Sequence, residues 1–84
     1  MEDIKLEIRK YIAENLIFSS NGYPYSDDAS FLEEGIVDSM GIMELVAFIE
    51  DEFKISILDQ EITPDNFDSI DKLGVFITAK KEDS

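Results

Sequence analysis

A chain of 84 residues with no cysteine and no histidine has no disulfide, no thiol nucleophile and no imidazole base, and it lacks the ligands of the usual zinc sites. Its formal charge of -13 at pH 7 argues against nucleic acid or an anionic membrane as partner and in favour of basic protein surfaces. With 44% apolar residues it reads as one small domain, residues 1–84, that must stand on packing alone.

Ile4, Ile8, Tyr11, Ile12 and Leu16 recur at helical spacing and predict an amphipathic first helix over 3–17, with Leu6 outside the stripe. The opening MEDIKLEIRK is charged throughout, unlike a secretory signal, and the longest purely apolar run, LVAFI at 45–49, is too short to span a bilayer. A cytoplasmic location without stable membrane insertion is therefore expected. Residues 19–30, SSNGYPYSDDAS, form a long turn-rich loop broken by Asn-Gly and Pro. Loops of this length are commonly functional or mobile, and Phe31 and Leu32 are expected to anchor its end in the core. The second helix is predicted from Ser39 to Phe53. ISILDQEI at 55–62 reads as extended or irregular, with a short strand as the alternative. Thr63-Pro64, a cap followed by a first-turn proline, opens a short third helix that buries Phe67. Asp68-Ser69 then caps a last helix carrying Ile70, Leu73, Phe76 and Ile77, in which Gly74 costs about 1 kcal/mol relative to alanine. The tail from Lys80 to Ser84 is expected to fray. The architecture is all-α: a small, monomeric bundle of three main helices plus a short one.

The second helix has two faces. At roughly 100° per residue, Ile42, Leu45, Val46, Ile49 and Phe53 gather on the core side. Met40, Met43, Glu44, Ala47, Glu50 and Asp51 gather opposite, and a purely structural helix would be polar there. Either the methionines reach sideways into the core, or this is a docking stripe. Flexible, polarizable methionines suit several partners, and the carboxylates would steer basic ones. No Lys or Arg lies between Lys10 and Lys54.

Ser39 follows Asp38 at the start of this stripe. It is either a helix cap in an acidic helical adaptor or a point of attachment. A nucleophilic triad lacks its base, and paired-carboxylate hydrolysis lacks room for a cleft in so short a chain. Calcium-loop spacing is missing after Asp27, Asp28 and Asp59, which leaves only a weak, nonspecific divalent site among the acids. No catalytic residues and no dedicated metal site are therefore expected, and the chain reads as a non-enzyme. A phosphodiester on the Ser39 hydroxyl would lie at a helix N-terminus, where free N–H groups and the helix dipole favour anions.

SFLEEGIVDSMGIMELVAFIEDEF at 30–53 resembles the acyl carrier protein family, which includes peptidyl and D-alanyl carriers. The resemblance extends over nearly the whole chain. It rests on Asp-Ser-Met, on the EL-x(4)-E-x-x-F pattern that follows, and on the acidic composition. It implies a 4′-phosphopantetheine arm on Ser39, after Asp38, transferred from coenzyme A by a phosphopantetheinyl transferase, which makes the chain a phosphoprotein. The arm's thiol would carry acyl or aminoacyl thioesters, so a chain without cysteine could do thioester chemistry. The family's partner-facing helix matches Met40, Met43, Glu44, Ala47, Glu50 and Asp51. Transferase, loading ligase and other biosynthetic enzymes with basic surfaces are the implied partners. The interior that stores acyl chains in some members matches Leu45, Ile49, Phe53 and Ile62. Gly41 stands where fatty-acid carriers usually have an acid, and DSMG is closer to the D-alanyl carriers. The long loop resembles discrete carriers of specialised clusters. The expected function is an acyl carrier in fatty acid or specialised lipid or polyketide biosynthesis, with an aminoacyl, D-alanyl-type carrier as the alternative.

Overall fold

The computed structural model describes residues 2–83, and the side chains of 4–82. Four helices appear in chain order: α1 Glu2–Asn15, α2 Ser39–Phe53, α3 Pro64–Phe67 and α4 Ile70–Asp83, with a 3-10 turn at Asp59–Glu61 before α3. No strand forms among the described residues. The bundle expected from the periodicity is the one observed.

Each long helix buries the stripe its spacing marks. Ile8 and Ile12 of α1, Leu45 and Ile49 of α2, Phe67 of α3, and Ile70, Leu73 and Ile77 of α4 close around Phe31 from the loop, all essentially inaccessible to water. Complete burial of side chains this size contributes about 1.5–3 kcal/mol each, against the backbone entropy of ordering so short a chain. Two aromatic contacts tie helices together. Tyr11 stacks on Phe48 with ring centroids 4.0 Å apart, joining α1 to α2, and Phe67 tilts against Phe76 at 5.3 Å, joining α3 to α4.

Several expectations change at the ends of elements. The first helix stops at Asn15 rather than 17. The N–H groups of Leu16 and Ile17 both reach the Ile12 carbonyl, and Ser19 N–H reaches that of Ala13, so the last turn widens and turns away. Leu32 is exposed although Phe31 beside it is fully buried. The turn can aim only one of two adjacent side chains inward. The last helix runs through Lys80 to Asp83, with Lys80 paired with Glu61 at 3.0 Å and Lys81 over the Phe53 ring. Ser84 lies outside the described residues.

The segment 55–62 is irregular, and carboxylates explain why no strand forms. Ile57 N–H donates to the Glu50 carboxylate at 2.8 Å, and Leu58 N–H donates to Glu61 at 2.9 Å. Donors held by local side chains are not available to a ladder. The Leu58 N–H and the Lys80 ammonium together hold the Glu61 carboxyl below the usual carboxylate range.

The long loop is pinned at both ends. Arg9 grips Asp27 with two hydrogen bonds, and Asp71 N–H donates to the Asp27 carbonyl. Asp68 takes three further donors: Ser30 Oγ and Leu32 N–H on its carboxylate, and Phe31 N–H on its carbonyl. Asp68 thus locks the approach to α2 onto the α3–α4 junction.

The salt bridges seen among the described residues, Lys5–Asp71, Arg9–Asp27 and Lys80–Glu61, engage only part of a carboxylate excess of 20 acids over 7 bases. Salt weakens exposed pairs worth about 0–1 kcal/mol each, but it also screens the much larger set of unpaired like charges. Repulsion wins, so the melting temperature at pH 7 should rise with added sodium chloride. A falling melting temperature would show that the pairs dominate.

Candidate functional site

Helix α2 begins where the sequence predicts, but with a different cap. Asp38, extended at φ -93 and ψ -176, is the N-cap, and its carboxylate accepts from Gly41 N–H at 2.8 Å. Ser39 is therefore the first residue inside the helix, and the reading of it as a cap is corrected. Both Asp and Ser are strong cap formers, and the extended backbone at 38 gives the role to the aspartate. Ser39 is exposed, and no described residue hydrogen-bonds its hydroxyl. With Gly41 N–H taken by Asp38, and Ile42 N–H bonded to the Asp38 carbonyl, the N–H groups of Ser39 and Met40 stand at the open end of the helix.

Gly41 makes this arrangement possible. A Cβ there would come within 2.7 Å of Val37 Cγ1 and 3.4 Å of the Asp38 carboxylate oxygen. Val37 is buried and β-branched, so it cannot swing aside. A side chain at 41 would crowd both the core and the cap, which explains why glycine rather than an acid follows Ser39-Met40. Gly41→Ala should accordingly destabilise by about 1–2 kcal/mol, overpacking outweighing the gain of about 1 kcal/mol in helix propensity. In a Val37→Ala background the same substitution should become neutral or stabilising, and thermal melts of the four proteins read the coupling. Additive effects would refute the close approach.

Ser39 opens onto an apolar cleft of about 280 Å³ lined by Leu32, Ile42, Met43, Ile62, Pro64 and Phe67, with Thr63 and Asp68 at its edge. Of the residues matched to acyl storage, Ile62 lines this cleft. Leu45 and Ile49 are sealed in the core, and Phe53 packs elsewhere against it. Leu32, Pro64 and Phe67 were missed as lining residues. Their only sequence signal is hydrophobicity, and the fold brings them to Ser39 from the loop before α2 and from α3.

On the outward face, Met40 and Met43 are 78% and 55% exposed, and Glu44, Ala47 and Asp51 are exposed too. The methionines do not fill the core; both side chains face outward. Glu50 stands apart: it is half-buried, and its carboxylate is occupied by Ile57 N–H. Among the described residues no group of three or more acids is arranged to hold a metal ion, and no helix is long and apolar enough to cross a membrane.

An unengaged hydroxyl at the first turn of a helix, with open N–H groups beside it and a cleft alongside, fits a serine that bears a phosphate-linked group. The family model for the phosphopantetheine attachment site matches residues 7–76, well over half of the chain. The chain therefore belongs to the phosphopantetheine attachment-site family, carrier domains that hold 4′-phosphopantetheine covalently.

Proposed function

We propose that Ser39 bears the 4′-phosphopantetheine arm and that the protein is a stand-alone acyl carrier, non-catalytic by itself, acting in the cytoplasm. The exposed, unbonded hydroxyl of Ser39 at the mouth of an apolar cleft supports this reading. The arm, when bound, supplies the thiol that a chain without cysteine lacks. Asp38 keeps the N-terminal turn of α2 closed by holding Gly41 N–H, which presents Ser39 on rigid helix rather than on a loop. The Ser39 and Met40 N–H groups, open at the end of α2, would favour the arm's phosphate on Ser39.

The cleft favours acyl over aminoacyl cargo. An apolar chain folded back from the arm would find Ile42, Met43, Ile62 and Phe67. An aminoacyl group carries an ammonium, and the one carboxylate in the cleft lining, Asp68, already accepts from Ser30 Oγ and Leu32 N–H. Burying that ammonium unpaired would cost several kcal/mol. Fatty acid, specialised lipid and polyketide synthesis all offer such acyl cargo. Intact mass of the protein isolated in its loaded state tests the cargo: an acyl thioester is expected, and an amino acid on the arm would replace this reading with the D-alanyl-type one.

The partners we propose are a phosphopantetheinyl transferase, an acyl-loading ligase and further biosynthetic enzymes. They would meet Met40, Met43, Glu44, Ala47 and Asp51 with a basic, apolar-centred surface. Glu50 serves this face less directly, because its carboxylate braces the segment after α2.

A further inference from the structure

Phe18 is the most exposed large apolar side chain among the described residues, at 80%, and its backbone has a φ of +54°. Left-handed backbone is strained for a bulky side chain and is free of strain only for glycine. The ring recovers nothing by burial. Lys54 shares the conformation at the end of α2, but it puts an ammonium rather than a ring into water. Phe18 is therefore costly twice over, in backbone conformation and in exposed apolar surface.

The ring stands at a second groove, about 410 Å³, on the other side of the first turn of α2 from the apolar cleft. Leu16, Phe18, Ile36, Asp38, Met40 and Glu44 are among its lining residues. Met40, 78% exposed, continues the apolar surface from Phe18, and carboxylates rim it at Asp38 and Glu44. Ser39 thus has an apolar cleft on one side and this acid-rimmed groove on the other. An enzyme that brings its reacting centre to the Ser39 hydroxyl must cover the turn between them.

We propose that Phe18 and this groove are a docking element for the enzyme that installs the arm on Ser39. The complementary surface presents an apolar pocket for the Phe18 ring, flanked by basic side chains that meet Asp38 and Glu44. The proposal rests on Ser39 as the attachment residue. Aromatic anchors seated in pockets dominate interface energetics, and rim charges mainly set association. The ring therefore contributes a salt-insensitive part of recognition and Glu44 a salt-sensitive part.

The test uses the full chain, coenzyme A and a phosphopantetheinyl transferase, with steady-state kinetics of Ser39 modification and thermal melts. Phe18→Gly removes both the strain and the ring. Its melting temperature should equal or exceed that of the wild type, while kcat/KM for modification falls about tenfold or more, as expected for losing a buried aromatic contact, mainly through KM. The defect should persist at high salt. Leu6→Ala, which removes another exposed apolar side chain from α1, should leave the kinetics unchanged. Modification of Phe18→Gly within twofold of wild type, while wild type is modified normally, would overturn the docking role alone. A markedly lower melting temperature for Phe18→Gly would overturn it as well, by making the ring structural. Wild type that is never modified would overturn both this proposal and the assignment of Ser39.

Discussion

Alanine at Ser39 should leave the melting temperature nearly unchanged and abolish arm attachment, and alanine at Ser69 should do the reverse. Both serines follow an aspartate at the start of a helix, yet they sit in opposite environments. Ser69 is buried at 3% exposure, and its Oγ accepts from Lys72 N–H at 3.1 Å, a true N-cap. Its loss removes the cap and leaves the Lys72 N–H without its partner, costing about 1–2 kcal/mol. For a domain this size that is roughly 4–8 °C of melting temperature per kcal/mol. Ser39 is exposed and caps nothing, so its hydroxyl contributes within about 0.5 kcal/mol of zero. The cap energy of α2 belongs instead to Asp38, and Asp38→Ala should cost about 1 kcal/mol. Circular dichroism melts rank the three variants, and intact mass after incubation with coenzyme A and a transferase reads attachment. A Ser39→Ala protein that is still modified would contradict the assignment, and a large stability loss in it would contradict the capping geometry.

Reversing Glu44 and Asp51 together, to Lys, should slow modification by about 10- to 100-fold at low ionic strength, within the range over which steering changes association rates. Both side chains are exposed on the same face of α2 as Met40 and Met43, and neither has a hydrogen-bonding role that its loss would expose. The fold should survive, since surface substitutions of this kind change stability little. The loss should lie in association and not in turnover at saturation. Added salt should slow the wild type while narrowing its difference from the variant. Glu50 is left out for a structural reason: a lysine there would abandon Ile57 N–H and confuse folding with docking. Kinetics indifferent to both salt and charge reversal would remove the electrostatic face from the account.

The parts of the structure legible in advance are those set by local periodicity. The second helix runs from Ser39 to Phe53 as its pattern predicts, because its apolar stripe, cap signals and length agree. The choice of cap was not legible: Asp38 and Ser39 are both good caps, and only the extended backbone at 38 separates them. Leu16 and Ile17 continue the apolar period of α1 but lie in a widened turn, so periodicity overshoots its end. The Lys80–Glu61 bond was not legible in KKEDS, because Glu61 lies 19 positions earlier. The proposed attachment site divides along the same line. Ser39 and the outward methionines follow from α2 alone, whereas the cleft needs Leu32, Ile62, Pro64 and Phe67 brought to α2 by long-range packing. A helical wheel ranks residues by direction. It cannot tell Leu45 and Ile49, sealed within the core, from Ile42 and Met43 at an open cleft. Glu50 shows the converse: its place on the outward face was legible, and its engagement with Ile57 was not.

The central claim is that this one serine of the chain carries the arm, and peptide mapping of the wild-type protein tests it most directly. After incubation with coenzyme A and a broad-specificity phosphopantetheinyl transferase, proteolysis and tandem mass spectrometry should place a single phosphopantetheine on the peptide containing Asp38-Ser39-Met40, and nothing on the peptide containing Ser69. No addition, or addition at any serine other than Ser39, would contradict it.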